Sequence, residues 1–306
     1  MGGTLATLEL ADLAAACDVL HAACAHDRAA LVAEEKLFGA SPRGLPKAIA
    51  ARKGGILVGV AATCGDRVRV LAVHPAARGE GIGGQLLAAC EAEIWQNAAR
   101  RARLLDEPGN YLAPGIDLTN KDTIAWLERK GYVCRDKHTN LLVDVKHNAK
   151  VTEARFAEMV ERCAQRGYHV RRATRADSEA LSASISMGFG GAWPFEIERA
   201  LAAEPPGVFV AWRAGRPAAF AAHDGNNQGL GWFGPAGTWP EHRGQGLGEA
   251  LLVGCLLDIA ADHATAEIAW IGPRDFYEKA VGVTGERTFA VMTKDSPFKR
   301  ATIPPL

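Results

Sequence analysis

Neither sign of charge predominates in this chain, in which 35 Lys and Arg stand against 35 Asp and Glu. The balance gives no reason to expect a nucleic-acid or membrane-surface partner. No CxxC pair occurs among the seven cysteines, at 17, 24, 64, 90, 134, 163 and 255. An odd count without zinc-like spacing is expected of reduced thiols in a cytoplasmic protein. Cys17, His21 and Cys24 recur on one helix face with His26 nearby. Structural zinc wants four ligands from two segments, so a half-buried alanine-rich helix is the reading and no metal is expected. No basic region followed by an apolar one opens the chain, because Glu9, Asp12 and Asp18 interrupt it. No uncharged apolar run reaches the ~18 residues a membrane span needs. There is also no GxxxxGK[ST], which argues against a P-loop nucleotidase.

What is present is a repeat. RGEGIG occupies 78–83 and RGQGLG occupies 243–248. At this offset of 165, Pro75 falls on Pro240, and Leu86, Leu87 and Cys90 fall on Leu251, Leu252 and Cys255. A match of this length at one offset points to two copies of a domain-sized unit. A chain of 306 residues, 48% hydrophobic, is long enough for two cores. The seam is expected near Lys146–Lys150, giving domains 1–147 and 148–306. VTEARFAEMVERCAQRGY reads as a connecting helix that opens the second.

The setting gives the glycines their meaning. RVRVLAV (67–73) is β-branched and reads as a strand, ended by His74-Pro75; QLLAACEAEIWQNAA (85–99) reads as a helix, and RARLL (101–105) returns as a strand. The second copy repeats this through Gly231–Thr238, Trp239-Pro240 and EALLVGCLLDIAA (249–261). A helix that begins among glycines presents unpaired backbone N–H groups and a positive dipole end. A pyrophosphate fits such a place. A dinucleotide fold competes, since Gly79, Gly81 and Gly84 satisfy GxGxxG. The second copy breaks that pattern at Glu249, and a proline and arginine lie where a tight turn belongs.

The pattern both copies share is P-x-x-R-x-x-G-x-G. VHPAARGEGIGGQLL and TWPEHRGQGLGEALL resemble the acyl-CoA-binding motif of the GNAT N-acetyltransferases. Arg78, Gly81 and Gly83, and again Arg243, Gly246 and Gly248, match its Arg/Gln-x-x-Gly-x-Gly/Ala. The resemblance covers most of both halves. It implies an α/β (α+β mixed-sheet) fold with two tandem GNAT acyl-CoA N-acyltransferase domains, each sheet splayed between its fourth and fifth strands. Acetyl-CoA or coenzyme A would lie in that V, held by Val73, Arg78, Gly79, Gly81, Gly83, Gly84 and Asn120 in the first copy. Thr238, Arg243, Gly244, Gly246 and Gly248 would hold it in the second.

A second family motif distinguishes the halves. Asn120–Tyr132 resembles N-x-x-A-x-x-x-Y-E-K-x-G-F, with Leu127 at the tyrosine position. In the second half Phe276-Tyr277-Glu278-Lys279 matches FYEK, with Trp270 in place of the asparagine and one extra residue before Gly282. The offset there is 150, so the first half carries about fifteen extra residues, in or near the Pro/Gly-rich DEPGNYLAPGIDLTN, a loop suited to shape or cover a pocket. Amine attack on a thioester expels a thiolate, and a phenol near pKa ~10 is protonated at neutral pH and can supply its proton. Leucine cannot. Acetyl transfer is therefore expected in the second half with Tyr277 as general acid. The first half binds the coenzyme and does little with it, or uses a water or another residue. No base is visible on the central strands; Glu196, His223, Asp224 and Glu267 are candidates, each read by default as a solvated surface group.

Five of seven tryptophans lie in the second half. Within MGFGGAWPF (187–195), Phe189, Trp193 and Phe195 are expected to border the acceptor. The map for each half is strand, two helices, three antiparallel strands, helix, strand, helix, two strands. In the first half the helices fall at 11–25 and around 45–52. Two function classes stand: an acetyltransferase acting on a small-molecule or peptide amine, and a non-catalytic acyl-CoA-binding sensor or scaffold. The expected assembly is a monomer with an internal pseudo-dimer.

Overall fold

The computed structural model describes residues 3–298. The chain divides into two compact units, and neither is one continuous stretch. The first contains residues up to 107, 112–137 and those from 289 onward; the second contains 108–111 and 138–288.

The first unit opens with β1 (Thr4–Thr7), α1 (Leu13–Ala23) and the short α2 (Ala33–Leu37). Next come β2 (Lys47–Lys53), β3 (Ile56–Cys64), β4 (Arg67–Val73), α3 (Ile82–Gln96) and β5 (Arg101–Leu104). A two-residue strand β6 (Ile116–Asp117), α4 (Lys121–Arg129) and the start of β7 (Val133–Asp144) follow. The strands β1 to β4 pair antiparallel in sequence order, and β4 pairs parallel with β5. The helix expected around 45–52 is instead β2. KAIAARK has no β-branched run beyond Ile49, and its alanines favour a helix locally. Pairing on both sides, with β1 and β3, buries Ala48, Ala50 and Ala51 and overrides that preference. The second helix is α2 in its place. Leu86, Leu87, Cys90 and Ile94 of α3 fill the core against Val68, Ala102 and Leu104.

The second unit takes the His138–Asp144 part of β7, then α5 (Glu153–Gln165), β8 (His169–Arg172), α6 (Ser178–Gly188) and α7 (Trp193–Leu201). β9 (Val208–Arg213), β10 (Arg216–His223), β11 (Trp232–Thr238), α8 (Leu247–Asp262), β12 (Thr265–Ile268) and α9 (Arg274–Val281) complete the motif. The strand β13 (Gly285–Asp295) leaves this unit at Thr288, and its remainder pairs in the first unit with β5 and β6. Each half thus closes on one long strand, β7 or β13, where two shorter ones were expected. Within the second unit β8, β9, β10 and β11 pair antiparallel, β11 pairs parallel with β12, and β12 pairs antiparallel with β7. Leu251, Leu252, Cys255 and Leu256 of α8 are fully buried against Phe209, Phe233 and Ile268. Leu86, Leu87 and Cys90 and their counterparts at the 165 offset, Leu251, Leu252 and Cys255, are therefore core positions in both units.

Candidate functional site

In both units the glycine motif is a strand-to-helix cradle of the same shape. β4 ends at Val73, one turn of 3-10 helix covers Pro75–Ala77, and α3 starts at Ile82 behind the N-cap Gly81. β11 ends at Thr238, the 3-10 turn is Pro240–His242, and α8 starts at Leu247 behind Gly246. Gly81 and Gly246 both have φ +83, with Gly79 at +80 and Gly244 at +73. L-residues with a Cβ rarely adopt this region. A Cβ at Gly79, Gly81 or Gly244 would meet no atom within 4 Å, and at Gly246 only the Arg166 guanidinium, at 4.0 Å. The glycines thus serve the turn and leave open space above it.

No side chain caps either helix. Arg78 donates from Nε to the carbonyl of Val73 (3.3 Å), and Arg243 donates in the same way to Thr238 (3.3 Å). Each arginine therefore ties the loop back to its strand. Open space, uncapped first-turn amides and an arginine suit a diphosphate, so the residues present fit an acyl-CoA.

Beside each cradle the sheet opens. β4 and β5 are in register only at Arg67↔Arg103 and Val68↔Leu104, and β11 and β12 only at Trp232↔Glu267 and Phe233↔Ile268. Beyond those pairs the parallel strands part. Both β4 and β11 also slip register against their antiparallel neighbours at this point, next to Arg69 in one and Gly234-Pro235 in the other.

The motif helices α4 and α9 carry equivalent residues to the same places. A Cβ at Gly83 would lie 3.6 Å from Val73 and 3.7 Å from Trp126; at Gly248 it would lie 3.6 Å from Thr238 and 3.6 Å from Phe276. The next residue in each helix is Leu127, buried in the core, and Tyr277, half-buried against Phe233 (6.5 Å between ring centroids). Burial pushes the Tyr277 phenol up to about 12, so it is protonated across the neutral range. Asn120 is the exposed N-cap of α4, accepting from the Thr123 amide (3.4 Å). Gly84 lies beside Lys130, whereas its counterpart Glu249 is paired with Arg155 of α5 (2.5 Å).

The four candidate bases are not solvated surface groups, a correction to the sequence reading. Glu196, His223 and Glu267 are buried and Asp224 is half-buried. Burial alone would lower the His223 pKa, but hydrogen bonds to Asp224 (2.9 Å) and Asp258 (3.0 Å) outweigh it and raise it to about 9. An imidazolium at neutral pH accepts no proton. Burial raises the Asp224 carboxyl, but His223 and the Gly229 amide hold it below its usual range. Glu267 accepts from Asn140 (2.6 Å) and pairs with Arg287 (3.3 Å).

Phe189 and Trp193 stack (5.3 Å) and meet Phe220, with Phe189 also edge-on to Trp239. Phe189 covers Gly237 of β11, where a Cβ would come within 2.8 Å of its ring. Phe195 lies apart from this stack, under the Arg199 guanidinium (5.9 Å). Tyr111 was missed by sequence reasoning. It comes from the Pro/Gly-rich insertion, is grouped with the second unit and packs against Trp232 (5.8 Å) and Trp270 (5.4 Å). Asn226 Nδ2 holds its carbonyl (2.9 Å), and burial, reinforced by the charge of Glu196, pushes its phenol well above the ordinary value. The only sequence signal was the extra length between motifs. Trp270 stands at φ +47, its amide donating to Asn140 Oδ1 (2.7 Å).

Two family models match the chain: an acetyltransferase (GNAT) domain over residues 46–134 and the acetyltransferase (GNAT) family over 176–283. No curated protein matches. Among solved structures, the chain is similar to a GCN5-related glucosamine N-acetyltransferase region of a fungal multi-domain GH3 β-N-acetylglucosaminidase (TM-score 0.76, 18% identity), covering 96% of this chain and 38% of that one. It is also similar to a tandem GNAT protein from the clavulanic acid biosynthesis pathway (TM-score 0.67, 16% identity; 97% of this chain and 99% of that one). A GCN5-related N-acetyltransferase from Sphaerobacter thermophilus matches at TM-score 0.63 and 17% identity, over 95% of each chain. At these identities the likeness speaks to fold, and with two matched domains, parted parallel strands in each unit and two cradles the chain belongs to the GNAT acetyltransferase family as a tandem member.

Proposed function

We propose that the protein moves an acetyl group from acetyl-CoA to a primary amine of a small molecule or peptide, and that transfer occurs in the second unit. The duplicated sequence units are taken as 1–147 and 148–306. The observation that carries the reading is Tyr277, set in α9 where the first unit has only Leu127. The thioester supplies an activated acyl group. Arg243, Gly244, Gly246 and Gly248 would bind its diphosphate and Thr238 would line the adjoining strand. Gly234 to Thr238, unpaired to β12, offer backbone to the pantetheine arm. Tyr277 gives its proton to the departing sulfur as the amine nitrogen bonds to the acyl carbon and the C–S bond breaks; the proton the nitrogen sheds passes to solvent, from which the phenolate is reprotonated. Phe189 and Trp193 would exclude water on the acceptor side, with Phe195 at its margin. In the first unit, Val73, Arg78, Gly79, Gly81, Gly83, Gly84 and Asn120 would hold a second coenzyme.

Thiol release from acetyl-CoA with a panel of amines tests this reading. Tyr277→Phe is expected to lower kcat by about 10²-fold or more, with KM for acetyl-CoA little changed. An unchanged kcat with a productive acceptor would remove Tyr277 as the acid.

A further inference from the structure

The side of the sheet that carries α3 in the first unit and α8 in the second is finished differently at its first two strands. In the second unit it is covered by α5, which lies against β8 and α8. Phe156, Met159, Val160 and Cys163 of α5 turn into the core at spacings i, i+3, i+4 and i+7. Phe156 meets Phe209 of β9 edge-on (5.8 Å between ring centroids), and a Cβ at Gly254 of α8 would fall 3.0 Å from its ring.

The first unit has the same floor without the cover. At the 165 offset Leu5 and Thr7 of β1 fall on Val170 and Arg172 of β8, Ala89 of α3 on Gly254, and Glu93 on Asp258. Ile49 of β2 lies opposite Thr7 as Phe209 lies opposite Arg172, so these two correspond as well. Leu5, Thr7, Ile49, Ala89 and Glu93 line a groove of about 480 Å³. Among the described residues the first unit has no counterpart of α5, and Leu5 is 38% exposed where Val170 is 5%. Ile49 is smaller than Phe209, which leaves volume for a ring that Ala89, larger than Gly254, would otherwise crowd. The ion pair Lys47–Glu93 (2.5 Å) gives the apolar floor a polar rim.

Charge distinguishes the helix that fits. Arg155, one position ahead of Phe156, pairs with Glu249 of α8 (2.5 Å). Glu249 falls on Gly84, and there the ammonium of exposed Lys130 lies 3.6 Å from where a Cβ would be. The sign is reversed, so an α5 exchanged from a second copy would bring arginine towards lysine. We infer that the groove beside α3 is a docking site for an amphipathic helix of a partner protein. That helix presents an apolar i, i+3, i+4, i+7 face, as peptide helices do in apolar grooves, with an acidic residue one position ahead of it. Removing Leu5 and Ile49 from water drives the association, and the acid meets Lys130.

A fluorescein-labelled peptide of residues 151–168 carrying Arg155→Glu, titrated against the full chain and followed by anisotropy, tests this. Saturable one-to-one binding is expected, tighter than for the unmodified peptide. Leu5→Asp puts an unpaired carboxylate under the helix and is expected to weaken binding by about 10-fold or more. Ala89→Glu is expected to do the same from α3, and unchanged far-UV circular dichroism would show both variants folded. Lys130→Glu is expected to reverse the order of the two peptides. No saturable binding at millimolar peptide would overturn the inference. Equal affinity in wild type, Leu5→Asp and Ala89→Glu would also overturn it, by placing the peptide elsewhere. Tighter binding of the unmodified peptide to wild type would overturn the acidic partner and make a second copy's α5 the occupant.

Discussion

At the residue scale, the two units are separated by a few side chains whose ionisation the fold controls. Tyr277 is an acid that burial strengthens in its protonated form. A catalytic phenol with its pKa at about 12 keeps its proton well past pH 10, so the alkaline limb of kcat is expected above the pH at which a free phenol would ionise; a limb near pH ~10 would point to another group. His223 gives a stability prediction. Its pKa is raised from 6.5 to about 9 in the folded state, so its contribution is fully present below pH 6.5 and lost as pH rises through about 9. At full strength that is worth up to about 3 kcal/mol. Urea unfolding at pH 6.5 and 9.5 is expected to show this loss in wild type and a shallower one in His223→Asn. The resemblance of FYEK to the family motif drew attention to Tyr277 because a motif within one helix is a local pattern. His223 was legible only as a histidine, because Asp258 lies 35 residues away and reaches it through the packing of α8.

At the element scale, the cradle is decided by backbone and the Phe189–Trp193 stack by packing, and two alanine substitutions separate them. Gly246→Ala puts a Cβ near only the far end of the Arg166 side chain but forces φ +83 on an L-residue, a cost of about 1–2 kcal/mol. It is expected to weaken coenzyme binding in the second unit, read by calorimetry. Gly237→Ala has no such φ, yet its Cβ would fall within 2.8 Å of Phe189 and Phe220. Overpacking there is expected to cost about 1–3 kcal/mol in denaturant unfolding, with the Phe189–Trp193 stack displaced and coenzyme affinity nearly unchanged. The cradle was legible because three glycines in six residues are a local demand. β2 was not, since its alanine-rich stretch favours a helix until β1 and β3 pair with it on either side.

At the scale of the whole molecule, a ligand that binds only the folded chain stabilises it in proportion to its excess over Kd. At 100 times Kd each occupied site adds about 2.7 kcal/mol. Coenzyme A is therefore expected to raise the Tm of the chain. Arg243→Glu is expected to keep only the part of that shift due to the first cradle. Scanning calorimetry with and without coenzyme would show it, and an identical shift in both proteins would exclude the second cradle as a site. No helix among the described residues is long and apolar enough to cross a membrane.

The sequence by itself determined the duplication, the cradles and the difference between Leu127 and Tyr277, because each is written in residues close together in the chain and governed by local geometry. Tertiary structure alone decided that Arg69 meets Glu107, that Tyr111 packs against Trp232 and Trp270, that buried Glu267 meets Asn140 and that buried His223 meets Asp258. Those partners lie tens to more than a hundred residues apart, and a side chain's charge state and neighbours are set by the surface that buries it, which no local pattern records.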